Sequence, residues 1–183
     1  MFADIQVSTK PIKPQELSSG QLAEWVTKIV AVEQPIHTEE VGRRLAAICG
    51  WKQAGRIIQE SALRGLKIAK RNGDLHPEGD FWFLDDDEAV EARDRSGLAA
   101  AEPVRRIALI SPVEIAAAAI HAVEESLAML PDDLVVEAAR LLGFARVGKD
   151  INAAIRDVID EAVGTTFELD HLGRLRLAVE TEI

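Results

Sequence analysis

The stretch that decides the fold reads Gly-Trp-Lys-Gln-Ala-Gly-Arg-Ile-Ile at residues 50–58, and it returns as Gly-Phe-Ala-Arg-Val-Gly-Lys-Asp-Ile at residues 143–151. Both copies have a glycine, an aromatic residue, a second glycine, a basic residue and an isoleucine at the same spacing. Each matching pair is 93 positions apart, and upstream the acidic residues Glu40 and Asp133 keep this offset. Similarity at a fixed offset is the signature of an internal repeat. The sequence therefore predicts two copies of one folded unit.

The first copy has the pattern of three helices followed by a β-hairpin. Apolar residues recur at helical spacing from Gln21 onward, and Pro35 ends this first helix. We expect Thr38 to be the N-cap of the second helix, which Gly50 then stops. The third helix is expected to start at residues 53–55 and end near residue 71, and the two strands to lie at Leu75 and at residues 81–83.

The second copy repeats this order of elements. Ser111, Pro112 and Glu114 form the pattern of a capping box, which predicts a helix that continues to about residue 128. Pro131 opens the next helix and Gly143 ends it. The third helix is expected from residue 149 to residue 163, and the hairpin between residues 164 and 177.

A unit of three helices and a hairpin has the layout of a winged helix. The predicted fold class is mainly α with small β-hairpins, arranged as two tandem winged-helix-like repeats. Between the repeats, the acidic block Asp-Asp-Asp-Glu at residues 85–88 and the polar residues after it are typical of a solvated linker. The predicted organisation is an irregular lead-in at 1–20, a first repeat at 21–84, an acidic linker at 85–102 and a second repeat at 103–183.

The composition is that of an ordinary globular protein of 183 residues, but its charge is uneven. The formal net charge is −10, yet residues 21–84 hold nine basic against eight acidic residues, while residues 103–183 hold eight against 14. The longest apolar run is far too short for a membrane span, and no secretory signal is visible. Cys49 is the only cysteine, so an internal disulfide is excluded and a cytoplasmic location is expected.

Catalytic motifs are weak in this sequence. Residues 143–149 match the first seven positions of a phosphate-binding loop, but Asp150 follows where a hydroxyl should hold magnesium, and a predicted helix precedes the loop. Cys49 is expected to be a small core residue, and no histidine pairs with another ligand at metal spacing. The sequence therefore predicts a protein without enzyme activity, catalytic residues, metal or cofactor.

The predicted third helix of the first repeat carries the best functional feature. At 100° per residue, six basic residues fall within an arc of about 120°, diluted only by Glu60. In a winged helix, the third helix enters the major groove of DNA. A solvated basic face, or a contact with another protein, is the open alternative. The residues expected to contact nucleic acid are Lys52, Gln53, Arg56, Arg64, Lys67 and Arg71, with Arg43 and Arg44 on the second helix against the backbone.

The matching helix of the second repeat differs in charge. Its basic residues, Lys149 and Arg156, are outnumbered by acidic ones, so this helix would repel phosphate. We therefore expect the second repeat to serve as a packing partner, a dimerisation surface or a docking site for another protein.

The segment from Glu33 to Leu45, with Gly50 and the Gly-Arg-Ile at 55–57, resembles a family of domains of unknown function. This family occurs at the C-terminal end of large bacterial superfamily I helicase-like proteins, some of which also carry a restriction-endonuclease-like domain. The similarity covers roughly residues 25–73. It implies a non-catalytic accessory module beside a DNA-translocating motor, and it supplies no catalytic residue.

These observations predict a nucleic-acid-binding accessory module, associated with a helicase-like DNA-processing protein. DNA would be contacted by the first repeat, and a helicase-like motor or another protein by the acidic second repeat. The alternative is a protein-interaction or dimerisation scaffold that makes no direct contact with DNA. No membrane partner is expected.

Overall fold

The protein is described from a computed structural model that covers residues 11–85, 89–99 and 102–178. The chain divides into two compact units, residues 1–88 and residues 89–183. Each is mainly helical and has a small antiparallel sheet, which confirms the prediction of mainly α structure with small β-hairpins. Across the described ranges, every helix is too short or too polar to span a lipid bilayer. Most of the acidic block at 85–88 lies outside the described residues.

The described residues of the first unit form three α-helices and a three-stranded sheet, preceded by a short 3-10 helix at Pro14–Glu16. The strands follow the order β1-β3-β2, with both neighbouring pairs antiparallel, and Ile36 of β1 lies opposite Trp82 of β3. Strand β1 was not among the predicted elements, because two residues between helices carry no periodic signal. The elements are α1 (Ser19–Glu33), β1 (Ile36–His37), α2 (Thr38–Ile48), α3 (Arg56–Asn72), β2 (Leu75–Glu78) and β3 (Phe81–Leu84).

The start of α2 corrects one prediction, because the N-cap is His37 rather than Thr38. The Nδ1 atom of His37 accepts a hydrogen bond from the Glu39 N–H at 3.1 Å, and Thr38 is the first helical residue. The Thr38 hydroxyl instead accepts a hydrogen bond from Trp82 Nε1 at 2.8 Å and donates one to the carbonyl of Asp80 at 3.0 Å. Thr38 therefore ties α2 to the hairpin, a long-range role that a capping pattern does not reveal.

The start of α3 corrects a second prediction. Gly50 has a φ of 79° and ends α2, and Gly55 in an extended conformation is the N-cap of α3. The helix therefore begins at Arg56, and residues 51–55 form a loop. Lys52 and Gln53 lie in this loop and not on the helix, so the predicted position of Lys52 on the helical face is wrong.

The core of the first unit lies between α1 and α3. Leu22 and Val26 of α1 face Ala62 and Leu66 of α3, and all four are fully buried. Gly65 allows this close packing, because a Cβ atom there would lie 3.0 Å from the carbonyl oxygen of Leu22. The helical spacing of the apolar residues thus fixes which side of α3 remains exposed.

The second unit repeats the three α-helices and the hairpin, but no strand corresponds to β1 in its described residues. Its hairpin has two strands, and Met129 forms an isolated bridge to Leu175 beside them. Leu134, Ile155, Ile159 and Phe167 are fully buried in its core. The elements are α4 (Pro112–Ser126), α5 (Pro131–Leu141), α6 (Lys149–Ala162), β4 (Phe167–Leu169) and β5 (Leu175–Leu177).

The offset of 93 positions extends from the sequence to the boundaries of the elements. Helix α4 begins and ends 93 residues after α1, and α5 begins and ends 93 residues after α2. The bridge between Met129 and Leu175 occupies the positions of the Ile36–Trp82 pair. The repeat of the sequence is therefore also a repeat of the backbone over the first two helices and this strand partner. The hairpin register differs by one residue, because Leu75 pairs with Leu84 whereas Phe167 pairs with Leu177.

The start of α4 departs from the predicted capping box. The Ser111 hydroxyl accepts a hydrogen bond from the Glu114 N–H at 3.1 Å, as expected of an N-cap. The Glu114 carboxylate, however, does not return to the cap. It is fully buried and accepts hydrogen bonds from Arg93 at 2.6 Å and from Arg95 at 2.7 Å. Both arginines come from the predicted solvated linker, where Arg95 is in fact buried.

Candidate nucleic-acid interface

Helix α3 buries one face and exposes the other. Ile58, Ala62, Leu66 and Ala69 point into the core of the first unit, as the spacing predicts. Because these positions recur every three or four residues, the residues between them lie on the opposite, solvent-exposed side. The exposed side carries Arg56, Arg64, Lys67, Lys70 and Arg71. We call these five residues the basic face of α3.

Most cations of this basic face are not neutralised. Glu60 is the one acidic residue within α3, and its carboxylate lies 3.0 Å from Arg56 Nη1. The side chain of Arg56 is nevertheless 84% exposed, and an exposed i,i+4 pair of this kind contributes little free energy. Arg64, Lys67, Lys70 and Arg71 form no ion pair within the described part of the chain. Four positive charges therefore remain available to an anionic partner.

Lys52 and Gln53 lie at the N-terminal end of α3, in the loop that precedes it. Both side chains are exposed. Because this loop joins directly to Arg56, the two residues extend the polar surface of α3 at one end, although they do not share its helical periodicity. The spacing of Gly50 and Gly55 predicts that both residues lie near the start of the helix. It does not predict the direction in which their side chains point.

Arg43 and Arg44 do not join the basic face. Arg43 is paired with Glu39 and with the buried Glu40, and Arg44 Nε lies 2.6 Å from a carboxylate oxygen of Glu33. Both arginine side chains are only about a quarter exposed. Neighbouring carboxylates already bind these two guanidinium groups, and their contact with a nucleic-acid backbone stays a prediction.

Helix α6 is the counterpart of α3 in the second unit, and its exposed face is acidic. Asp157 and Asp160 occupy the positions equivalent to Arg64 and Lys67 of α3, and both are exposed. Arg156 is paired with Asp132 of α5. The residues that were predicted to make this helix repel phosphate thus lie on its surface.

An apolar groove opens beside the N-terminal end of α3, and sequence reasoning missed it. In the sequence, Trp51 marks the aromatic position that the two repeats share, and this pattern alone does not indicate a groove. The side chain of Trp51 is 42% exposed, and that of Ile57 is 52% exposed. The groove, called the Trp51 groove below, is lined by Pro14, Gln15, Trp51, Gln53, Arg56 and Ile57.

The thiol of Cys49 and the candidate metal ligands were compared with the needs of catalysis and metal binding. Cys49 is fully buried, and burial raises the pKa of its thiol to about 11, so it is protonated at neutral pH. Within residues 11–85, 89–99 and 102–178, no three histidine, cysteine or acidic side chains come close enough to hold a metal ion. The loop at 143–148 follows helix α5 rather than a strand, which is the wrong context for a phosphate-binding loop.

Comparison with known proteins gives one similarity. Residues 15–60 match a family described as a protein of unknown function (DUF3320). The matched segment runs from before α1 into the first turns of α3, so it includes Trp51 and Arg56 but ends before Arg64. Searches of curated proteins and of solved structures gave no match.

Proposed function

We propose that the first unit is a winged-helix-like domain that binds nucleic acid through the basic face of α3, and that it acts as a non-catalytic accessory module. The order of its elements supports the winged-helix assignment, because three helices are interleaved with a sheet of order β1-β3-β2. In that layout, the third helix is the one that enters the major groove and the hairpin lies against adjacent backbone.

The observation that carries the proposal is the set of four cations on α3 that form no ion pair with any residue of the described ranges. Arg64, Lys67, Lys70 and Arg71 recur over two helical turns on one exposed side, where each can approach a phosphate oxygen. Contacts of this kind supply affinity by releasing counterions and carry little sequence information. Binding is therefore expected to be strongly salt-dependent and weakly selective for sequence.

The second unit is assigned a different role. Its third helix places aspartates where α3 has cations, so the same docking geometry would bring like charges together. We assign nucleic-acid contact to the first unit alone and a protein-docking role to the second. The partner we favour is a helicase-like motor, which rests on the resemblance of the segment around residues 33–57 to domains that accompany such motors.

The experiment is a titration of fluorescently labelled DNA with the full chain, followed by anisotropy. With four to five phosphate contacts, the affinity is expected to fall by roughly 250-fold between about 50 and about 200 mM salt. The double variant R64A/K67A should bind at least tenfold more weakly at the lower salt concentration. Both positions are exposed, so folding should be unaffected, which circular dichroism checks.

The matched control is the double variant D157A/D160A, which changes the equivalent positions of α6. It should bind DNA as the wild type does. Absence of binding by the wild type at about 50 mM salt would refute the proposal, and so would an R64A/K67A variant that binds with unchanged affinity.

A second candidate function is a protein scaffold, and exposed apolar side chains of the second unit favour it. Leu127 is 81% exposed in the connection between α4 and α5, and Leu172 is 59% exposed in the hairpin loop. Such residues are candidates for burial against another protein. This alternative predicts a stable dimer in light scattering and no DNA binding at low salt.

A further inference from the structure

Trp51 is a large aromatic side chain that the fold holds at the surface. Of the three tryptophans in the chain, Trp82 is buried, Trp25 is partly buried and Trp51 is exposed. Its counterpart Phe144 in the second unit packs against that unit's core, whereas Trp51 is not part of the core of the first unit. The repeated backbone therefore does not require an exposed aromatic ring at this position.

The indole ring is fixed rather than free to rotate. Its Nε1 donates a hydrogen bond to the carbonyl of Ile12 at 2.6 Å, and its backbone N–H donates to the carbonyl of Ala46 at 2.8 Å. The Ile12 N–H in turn donates to the carbonyl of Cys49 at 2.9 Å. An exposed ring that is already oriented loses little conformational entropy when a flat ligand stacks on it.

The groove around the ring is lined by both apolar and cationic side chains. Pro14 and Ile57 supply apolar walls to the Trp51 groove, and Gln53 supplies an amide that can donate and accept hydrogen bonds. Arg56 lies at the edge of the groove and begins the basic face that continues to Arg64 and Lys67. A flat apolar ligand that carries a negative charge fits this combination.

We propose that the Trp51 groove binds an unpaired nucleobase, which stacks on the indole ring while the adjoining phosphates follow the basic face of α3. This inference rests on the proposed function and adds the kind of nucleic acid to it. The face of a base is available for stacking on a side chain only where the base is unstacked from its neighbours, and a paired duplex does not offer one. The groove therefore selects single strands or the single-stranded side of a junction.

The test compares a labelled oligothymidylate of about 15 nucleotides with a duplex of the same length, using the full chain and anisotropy. The variant W51L should bind the oligothymidylate about tenfold more weakly, and duplex binding should be unchanged within about twofold. The variant W51F keeps an aromatic face but loses the hydrogen bond to Ile12, so it should retain most of the affinity. F144L changes the equivalent aromatic residue of the second unit and should bind as the wild type does.

Tryptophan fluorescence gives an independent readout. Stacking of a base on Trp51 should quench part of the wild-type emission, and the quenching should be absent in W51F, which retains Trp25 and Trp82. If W51L binds oligothymidylate like the wild type while R64A/K67A loses it, the inference is wrong and the proposed function stands. The groove would then be a candidate site for an apolar protein segment. If the wild type binds neither probe, the proposed function fails and the inference fails with it.

Discussion

Helices α3 and α6 occupy the same place in their units and present opposite charge to solvent. Their buried faces match, because Leu66 and Ile159 are equivalent and both are fully buried. Their exposed faces do not match, because α3 has basic residues where α6 has Asp157 and Asp160. The two helices have similar residue types at equivalent buried positions and different residue types at equivalent exposed positions. The exposed face is therefore the place to look for what distinguishes the two units in function.

The N-terminal ends of α1 and α4 form a second contrast. In α1, Ser18 and Gln21 form a reciprocal capping box on the surface. In α4, the equivalent residues are Ser111 and Glu114. The Ser111 hydroxyl still accepts from the Glu114 N–H, but the Glu114 carboxylate binds partners more distant in sequence instead of the N-cap backbone. The second unit thus uses a buried carboxylate to hold the segment around residues 93–95, and the first unit has no counterpart to it at Gln21.

The largest expected effect is that of E114Q. The substitution removes the negative charge that compensates the buried Arg95, and breaking a buried pair in this way costs about 3–5 kcal/mol of unfolding free energy. The equivalent residue of the first unit, Gln21, lies on the surface. The reverse substitution, Q21E, should therefore alter the free energy of unfolding by less than about 0.5 kcal/mol. Urea denaturation followed by circular dichroism measures both. Equal effects of the two variants would mean that the buried Glu114 and the exposed Gln21 contribute equally to stability, which would contradict this account.

The same carboxylate predicts a dependence of stability on pH. Burial by itself would raise the pKa of Glu114, but hydrogen bonds from Arg93 and Arg95 outweigh it and hold the pKa below its usual value. Its stabilising contribution is therefore complete above the unfolded-state pKa of about 4.3 and is lost as the pH falls through the folded-state pKa. The stability difference between wild type and E114Q should shrink as the pH is lowered from about 7 to about 3. A difference that stays constant over this range would exclude a titrating Glu114.

A smaller effect separates the two N-cap serines. S111A removes a buried acceptor that water cannot replace, and it should cost about 2 kcal/mol. S18A removes an exposed acceptor, and it should cost about 0.5–1 kcal/mol. The same denaturation experiment measures the two variants side by side. A larger cost for S18A would mean that burial does not set the strength of these caps.

Much of the fold could be predicted from the sequence, because its signals are local. The apolar spacing in α3, the Pro-Asp-Asp start of α5 and the glycines at 50 and 143 each fix an element through interactions within a few residues. The class of mainly helical units with small hairpins follows from them. The similarity to a family of unknown function was likewise predictable from a short motif, since residues 15–60 match such a family.

The errors fall where distant residues decide the outcome. Thr38 looks like an N-cap, but its hydroxyl is used by Trp82, 44 positions away. Arg44 looks like a free cation, but Glu33 of α1 approaches it only after α1 and α2 have packed together. The partners of Arg43, in contrast, are Glu39 and Glu40, one turn away within α2. The helical spacing predicts Lys52 on the face of α3, because this spacing has no information about where the helix begins. The candidate site could therefore be predicted along α3 but not at its end, where the Trp51 groove lies.

The most direct measurement of the central claim is the salt dependence of DNA binding by three forms of the chain. The logarithm of the association constant should fall with the logarithm of salt concentration at a slope of roughly −4 for the wild type. R64A/K67A loses two phosphate contacts, so its slope should be roughly −2, and D157A/D160A should keep the wild-type slope. If R64A/K67A keeps the wild-type slope, the exposed cations of α3 do not contact phosphate, and the charge contrast between α3 and α6 has no part in binding.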